Sequence, residues 1–282
     1  MGFDIVGAVL FPQRYAHGSM GESDPGITRR EVRKIVLRER EWASDDLAVE
    51  APLQVRLAGD PFVVTMRTPG RDRDLVLGLL WAEGLIASLD DIAVVAPCGD
   101  DTIDVSPGPG VAFAPERSRR GTLSNASCGL CGREQIDDLL ASLRTRARPK
   151  RTFSQAAIER ALSALHDEQP GFRRTGAMHA AIATDREGRF LTSAEDVGRH
   201  NAVDKVVGSL LRGDMLDEAD ILVVSGRISF EIVQKAAMAR LGAVVAVSGA
   251  TSLAVDVGRA LGMLIVGFAR DGRLNVYAGQ LA

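Results

Sequence analysis

The second half of the chain alternates strictly between short apolar segments and amphipathic ones, and this alternation constrains the fold more than any other feature. After Met178, segments such as ILVVSG, AVVAVSG and MLIVGFA alternate with helically spaced segments such as HNAVDKVVGSLL and SLAVDVGRALG. Strands that are apolar along their whole length need cover on both faces, and the intervening helices supply it. The pattern predicts an α/β domain over residues 153–282, with a sheet that is at least partly parallel.

The first half predicts a smaller α+β domain over residues 31–115. LQVRL and FVVTM alternate with period two and flank a turn at residues 59–61, which predicts a hairpin. RDLVLGLLWAEGLI has helical spacing and ends near Gly84. Residues 1–30 are expected to form a flexible N-terminus, and residues 116–152 a loop and linker.

Composition argues against several classes of function. The net charge is −3, from 34 Lys and Arg against 37 Asp and Glu, so no excess of positive charge attracts nucleic acid. No apolar segment approaches the roughly 18 residues of a membrane span. The N-terminal segment lacks a basic region before its apolar run, and three cysteines are too few for a disulfide scaffold. We expect a cytoplasmic protein with no membrane or nucleic-acid partner.

Two of the three cysteines, Cys128 and Cys131, lie in the glycine-rich segment SNASCGLCGRE. This pair could be a redox dithiol, half of a zinc site, or a thiol that carries a group. Structural zinc needs four ligands, and only a site shared across a dimer would complete the set. A thioredoxin-type dithiol follows a core strand, whereas the preceding RSRRGTLSNAS is no strand. Flexible glycines and Arg133 favour a thiolate that carries sulfane sulfur, although the spacing alone does not decide.

Glycine-containing polar turns follow three of the predicted strands, in SGRISF, SGATSL and GFARDGR. The carboxyl ends of parallel strands meet at one edge of a sheet, where helix N-termini can also receive an anion. Arg227, Arg270 and Arg273 carry planar guanidinium groups suited to phosphate or to a guanine edge. We therefore predict a phosphorylated, nucleotide-bearing ligand on this domain.

One helix entry, EDVGRHNAVDK, is unusually polar for an otherwise apolar helix. Asp196 either caps this helix or faces a ligand, and His200 is either a structural histidine or a ligand-facing one. The sequence leaves both alternatives open.

Several long motifs, in this order, resemble the FdhD/NarQ family of sulfur carriers, which are needed for formate dehydrogenase activity. They are SCGLCG, TGAMHAA, EDVGRHNAVDKVVG, SGRISFEIVQKAA, SLAVDVGRALG and VGFARDGRLNVY. DLVLGLLWAEGLI and APLQVRLAGDPF resemble the family's N-terminal segments. The resemblance therefore covers nearly everything beyond residue 30.

The resemblance implies a cytidine-deaminase-like, three-layer α/β domain at the C-terminus and a homodimer. It implies a sulfurtransferase that moves sulfur from a cysteine desulfurase to the molybdenum bis-molybdopterin guanine dinucleotide cofactor, before the cofactor enters formate dehydrogenase. In this picture the cofactor is a bound substrate, and the protein holds no metal of its own. A cofactor-binding chaperone without covalent sulfur transfer is the alternative function, and a redox enzyme that uses the dithiol directly is a third.

The resemblance also assigns residues. Cys128 matches the family's persulfide-bearing cysteine and Cys131 its companion, which either relays the sulfur or resolves the persulfide. The family's cofactor-binding stretch matches Phe268, Ala269, Arg270, Asp271, Gly272 and Arg273.

The deaminase likeness makes one absence informative. Zinc deaminases use a His-x-Glu motif for a metal ligand and for the acid/base carboxylate. The comparable place here reads His179-Ala180-Ala181, without glutamate. This argues against deamination while leaving the fold in place.

Overall fold

The computed structural model describes residues 24–37, 39–114, 140, 141, 143, 144, 151–270 and 272–282. Cys128, Cys131 and Asp271 lie outside the described residues. The strands are β1 (Ile27–Val36), β2 (Glu39–Ala48), β3 (Ala51–Leu57), β4 (Asp60–Arg67), β5 (Ile92–Pro97), β6 (Thr102–Pro107), β7 (His179–Thr184), β8 (Phe190–Asp196), β9 (Ile221–Val224), β10 (Ala243–Ala246), β11 (Leu264–Arg270) and β12 (Arg273–Ala278). The helices are α1 (Asp72–Ala82), α2 (Gln155–Asp167), α3 (Pro170–Thr175), α4 (Arg199–Arg212), α5 (Phe230–Met238) and α6 (Ser252–Ala260).

The N-terminal part forms two small sheets. The four-stranded sheet has the order β4-β3-β6-β5, and its β3–β4 pair confirms the predicted hairpin. A separate antiparallel pair, β1–β2, begins with Ile27 opposite Ala48. This strand starts inside residues 1–30, so the prediction of a flexible segment up to residue 30 is wrong for its last residues. They pair with β2, a long-range partner that local composition does not reveal.

The C-terminal part contains a six-stranded sheet with the order β12-β11-β10-β9-β7-β8. Strands β9, β10 and β11 are parallel, whereas the β9–β7, β7–β8 and β11–β12 pairs are antiparallel. The predicted, partly parallel α/β sheet is confirmed.

Alternate residues of the central strands belong to two different hydrophobic cores, one on each face of the sheet, as the pleat of a strand requires. Val223 and Val245 pack in one cluster with Ile158 of α2, whereas Leu222 and Val244 pack in the other, which contains the core residues of α4, α5 and α6. Helices therefore cover both faces of the sheet, which explains why its strands are apolar throughout.

The N-terminal part joins the larger sheet through a close crossing of α1 and α4. A Cβ added at Gly78 would lie 1.9 Å from the carbonyl oxygen of Asp204, and one added at Gly208 would lie 1.8 Å from that of Asp74. The two glycines therefore let the helix backbones touch. The hydrophobic core that contains Leu222 and Val244 also extends from Leu53 in β3 into α4, so one core runs through both parts.

Candidate functional site

The candidate site lies along one edge of the six-stranded sheet, where the parallel strands β9, β10 and β11 have their carboxyl ends. Since β7 runs antiparallel to β9, its first residue, His179, lies at this same edge. The register of β7 and β8 places Asp196 opposite His179. Five strands, β7 to β11, therefore have an end at the predicted ligand edge.

Two of the glycine-containing turns pack against each other. The N–H of Ile228, after β9, donates to the carbonyl of Gly249, after β10, at 3.0 Å. A Cβ added at Gly226 would lie 3.5 Å from Nδ1 of His179 and 3.5 Å from the stem of Arg199. The turns and the side chains of His179 and Arg199 thus form one continuous surface.

Phe268, the first residue of the predicted cofactor-binding stretch, has a strained backbone and an exposed ring. Its φ is 51°, in the left-handed region that a bulky residue rarely adopts, and it lies at an irregularity in the β11–β12 register. A Cβ added at Gly249 would lie 3.0 Å from its ring, and its N–H donates to the carbonyl of Ser248 at 3.0 Å. Phe268 as a whole is 45% exposed. It therefore presents an aromatic face beside the SGATSL turn.

The other described residues of the predicted stretch border a cavity between α2 and the β11–β12 turn. The cavity has a volume of about 490 Å³, within the range of roughly 300–1,000 Å³ that is typical of small-molecule sites. One wall is formed by Ala269, Arg270, Gly272 and Arg273. The polar residues of the facing wall are Glu159, Ser163, His166 and Gln169. This cavity can admit a nucleotide-sized ligand and offers it two guanidinium groups.

The structure therefore brings together some of the predicted ligand residues. Arg270 and Arg273 line the same cavity, whereas Arg227 is exposed and does not line it. Cys128 and Cys131 lie outside the described residues, so their relation to this cavity stays a prediction.

Asp196 neither caps α4 nor faces the open edge; it holds the N-terminal part against the sheet. Its fully buried carboxylate pairs with Nζ of Lys205 at 2.7 Å and accepts the N–H of Thr68 at 3.1 Å. It also accepts the N–H of Gly198 at 2.8 Å and Nδ2 of Asn201 at 3.1 Å. With four donors the charge is satisfied. We call Asp196, Asn201, Lys205 and Thr68 the buried cluster.

His200 lies on the opposite side of the α4 entry, among half-exposed polar groups. Its Nδ1 is 3.0 Å from Oε2 of Glu231, and its Nε2 is 3.3 Å from Oγ of Ser229. Nearby, burial and the charges of Arg199 and His200 lower the pKa of His179, so that its imidazole is neutral near neutral pH. We call Ser229, His200 and Glu231 the edge cluster.

The sequence reasoning missed Ser229 and Glu231 as partners of His200. Both residues lie within SGRISFE, at the start of the helix that follows β9. A hydroxyl and a carboxylate two residues apart, directly after a strand end, are the only local signal, and it does not identify a distant histidine as their partner.

Within the described ranges, no group of three or more His, Cys, Asp or Glu side chains is arranged to hold a metal ion. Among those same residues, no helix is both long and apolar enough to cross a bilayer.

Comparisons with known proteins give a consistent result. The sequence model of the FdhD/NarQ family matches residues 48–281. A protein of Anaeromyxobacter sp. (strain K), named sulfur carrier protein FdhD, is 44% identical over 264 residues, which cover 88% of this chain and 91% of the relative. The protein of that name from Mycobacterium tuberculosis is 38% identical over 265 residues, covering 88% of this chain and 95% of the relative.

Among solved structures, the fold matches a protein of Desulfotalea psychrophila that is described as a formate dehydrogenase accessory protein. The TM-score is 0.71 at 21% sequence identity, and the match covers 90% of this chain and 98% of the other. At this level of identity the likeness concerns the fold.

Proposed function

Because the chain belongs to the FdhD/NarQ family, we propose that it is a sulfur carrier for the maturation of formate dehydrogenase. It accepts persulfide sulfur from a cysteine desulfurase and transfers it to the molybdenum bis-molybdopterin guanine dinucleotide cofactor. The observation that carries the proposal is the similarity to proteins named sulfur carriers, at 38–45% identity over most of the chain. The strand order of the large sheet and its cover of helices on both faces support the cytidine-deaminase-like form expected of this domain.

The transfer begins at Cys128. Its thiolate attacks the terminal sulfur of the desulfurase persulfide, so that an S–S bond forms at Cys128 and the desulfurase cysteine leaves as a thiolate. In the second step the Cys131 thiolate attacks the inner sulfur of Cys128–S–SH. A Cys128–Cys131 disulfide forms and HS⁻ departs towards the molybdenum substrate. A dithiol reductant then reopens the disulfide. If Cys131 instead relays the terminal sulfur, no disulfide forms.

The nucleotide part of the substrate occupies the cavity between α2 and the β11–β12 turn. Arg270 and Arg273 border this space and supply the positive charge that phosphate groups require. The exposed ring of Phe268 offers an apolar face at the same end of β11. The family resemblance adds a homodimer in the cytoplasm to this proposal.

Intact-mass spectrometry tests the sulfur step. The full chain is incubated with a cysteine desulfurase and cysteine, and we expect a gain of one sulfur, about 32 daltons, which a thiol reductant removes. Cys128→Ala should abolish the gain. Cys98→Ala is the matched control, because Cys98 is an exposed free thiol elsewhere in the fold, and it should load as the unaltered protein does. A Cys128→Ala variant that still loads would overturn the assignment.

Calorimetric titration with GDP tests the nucleotide site. We expect Arg270→Ala and Arg273→Ala each to weaken binding by at least about tenfold, the effect of about 1.4 kcal/mol. Arg227→Ala serves as the control, since its side chain does not line the cavity. Equal losses in all three variants would locate the nucleotide elsewhere on this edge.

The cavity also favours the second candidate, a cofactor chaperone that binds the nucleotide without covalent sulfur transfer. This function needs Arg270 and Arg273 but neither cysteine of the pair. Wild-type support of formate dehydrogenase activity by a Cys128→Ser, Cys131→Ser double variant would establish it.

A further inference from the structure

The edge cluster, Ser229, His200 and Glu231, places a hydroxyl, an imidazole and a carboxylate in a hydrogen-bonded row. The distance from Oγ of Ser229 to Nε2 of His200 is 3.3 Å, and Nδ1 of His200 lies 3.0 Å from Oε2 of Glu231. A nucleophile within hydrogen-bond reach of a base, which a third group orients, is the arrangement of serine-dependent acyl transfer, and the first distance is often long without substrate. The edge cluster is accessible, because the His200 and Glu231 side chains are 28% and 34% exposed.

Ser229 differs from the other hydroxyl residues that begin helices of the same domain. Oγ of Ser154 accepts the N–H of Ala157 at 3.1 Å, and Oγ1 of Thr251 accepts the N–H of Ala254 at 3.4 Å. Ser229 precedes α5 in the same position, yet its side chain makes no capping bond. A capping bond of this kind stabilises a helix. Ser229 forgoes this contribution, and its hydroxyl contacts His200 instead.

The bond to Glu231 determines how His200 can act. Nδ1–H donates to the carboxylate, which leaves Nε2 as the acceptor for the Ser229 hydroxyl. The hydrogen bond from His200 is the main reason why the pKa of Glu231 is lowered despite partial burial, so Glu231 remains a carboxylate. Glu231 is therefore a positioning residue, which fixes the tautomer and orientation of the imidazole.

One positively charged side chain, Arg199, lies beside the edge cluster. Nε of Arg199 is buried and has no hydrogen-bond partner among the described residues. A Cβ added at Gly226 would lie 3.5 Å from both the Arg199 side chain and Nδ1 of His179. The charge of Arg199 contributes to lowering the pKa of His179 and, as the smallest of several causes, that of Glu231. An unsatisfied buried donor is costly and calls for an acceptor. A negatively charged group on a bound substrate would satisfy it.

We propose that Ser229 is an activated nucleophile, with His200 as its general base, and that this site takes carboxylic esters that carry an anionic group. This activity is separate from sulfur transfer and uses neither Cys128 nor Cys131. The proposed sulfur chemistry does not use the edge cluster, and acyl transfer would give this cluster a chemical role.

The reaction proceeds in two balanced steps. Oγ of Ser229 forms a bond to the ester carbonyl carbon while its proton passes to Nε2 of His200. The tetrahedral intermediate collapses, the bond to the leaving alcohol breaks, and that oxygen takes the proton from His200. Water then repeats the sequence on the acyl-serine and releases the carboxylic acid and free Ser229. Electrons are neither gained nor lost, so no redox partner is needed.

Covalent labelling tests the nucleophile directly. The full chain is treated with phenylmethanesulfonyl fluoride, and intact mass with peptide mapping locates the sulfonyl group. We expect one adduct on Ser229, none in Ser229→Ala, and at least tenfold slower labelling in His200→Asn. Ser154→Ala, which removes a capping hydroxyl, is the matched control and should label as the unaltered protein does. Thermal unfolding of each variant verifies that it is folded.

A conservative replacement distinguishes the positioning role of Glu231 from a purely structural one. Glu231→Gln removes the carboxylate that lies 3.0 Å from Nδ1 of His200, whereas Glu231→Asp keeps a carboxylate at this position. We expect slower labelling of Ser229 in Glu231→Gln, and a partial rescue of the rate in Glu231→Asp, at equal unfolding temperatures of the two variants. A labelling rate in Glu231→Gln that equals that of the unaltered protein would reject the positioning role.

Hydrolysis assays define the substrate class. The mono-p-nitrophenyl ester of succinic acid carries a negative charge that p-nitrophenyl acetate lacks, so we expect faster turnover of the succinate, and loss of this preference in Arg199→Ala. Equal rates would reject the anionic class. No adduct on Ser229, or the same labelling rate in His200→Asn, would overturn the proposal. Since labelling requires no desulfurase, such a failure leaves the sulfur-carrier function untouched.

Discussion

One short motif, EDVGRHNAVDK, contributes residues to both the buried cluster and the edge cluster, yet the two clusters have opposite properties. Asp196 and Lys205 are almost completely buried, and four donors satisfy the Asp196 carboxylate. His200 is partly exposed, and its partners Ser229 and Glu231 come from a different helix entry. The buried cluster connects the N-terminal part to the large sheet, whereas the edge cluster faces outward beside the predicted nucleotide surface.

The difference teaches how a polar residue can be assigned to structure or to chemistry. A buried charge whose every bond is made within the protein has no capacity left for a ligand, and its removal leaves an unpaired partner. A partly exposed histidine with one nitrogen fixed and one beside a hydroxyl can still exchange a proton. Stability measurements should therefore separate the two clusters clearly.

Removal of the Lys205 side chain should lower the free energy of unfolding more than any other substitution considered below. Lys205→Ala leaves the Asp196 carboxylate buried without its cation, and breaking a buried pair in this way costs about 3–5 kcal/mol of the free energy of unfolding. Urea unfolding followed by circular dichroism measures the loss. The control is Arg189→Ala, whose partners are Asp185 and Glu187 at the surface; it should cost less than about 1 kcal/mol. Similar losses in the two variants would remove the distinction between buried and exposed pairs.

Gly208→Ala should have the next largest effect, because it separates α1 from α4 beside the buried cluster. The new methyl group would lie 1.8 Å from the carbonyl oxygen of Asp74, a backbone atom that can retreat only if the helices move apart. We expect a loss of about 2–3 kcal/mol, measured by thermal unfolding. Gly258→Ala is the matched helix substitution, and its nearest atoms belong to the Ile265 side chain. If Gly258→Ala costs more, backbone contact is not what positions α1.

The loss of stability in Asp74→Asn should depend on pH. Asp74 is buried at the same crossing; burial raises its pKa, but hydrogen bonds from Arg212 and Arg71 outweigh it and hold the pKa below the ordinary 3.8. Loss of these charge-assisted bonds should cost about 1–2 kcal/mol at neutral pH. Because the folded-state pKa is lowered, this contribution is complete above the ordinary value and disappears as the pH falls through the folded-state pKa.

Urea unfolding of the unaltered protein and Asp74→Asn at several pH values checks this sign. The difference between them should hold from neutral pH down to roughly pH 5 and shrink below about pH 4. A difference that grows on acidification would contradict the lowered pKa.

The smallest effect on stability is expected for His200→Asn. The side chain is partly exposed and its partners reach solvent, so the free energy of unfolding should change by about 0.5 kcal/mol or less, while labelling of Ser229 falls. The next residue in the chain is the control. Asn201 donates to the carbonyl of Met66 at 2.7 Å and to Asp196, so Asn201→Ala should cost about 1–3 kcal/mol. The reverse order would show that the edge cluster is structural.

Part of the candidate site could be predicted from the sequence. The three glycine-containing turns were expected at the carboxyl edge, and Arg270 with Arg273 were expected to bind phosphate; the structure places these arginines on one cavity wall. Arg227 carries the same signal in the sequence but does not line that cavity. Whether a guanidinium group reaches a cavity depends on the direction of its side chain, which residue type and spacing do not determine.

The sequence by itself determined the β3–β4 hairpin, helix α1 and the partly parallel sheet with its covering helices, because the spacing of apolar residues directly reflects which faces of an element are buried. It also determined the family, through long motifs in a fixed order. Only the tertiary structure decided that Asp196 joins Lys205 and Thr68 while His200 joins Ser229 and Glu231. The partners of a polar side chain are set by the register of β7, β8 and β9 and by the crossing of α1 and α4, which unite residues far apart in the chain.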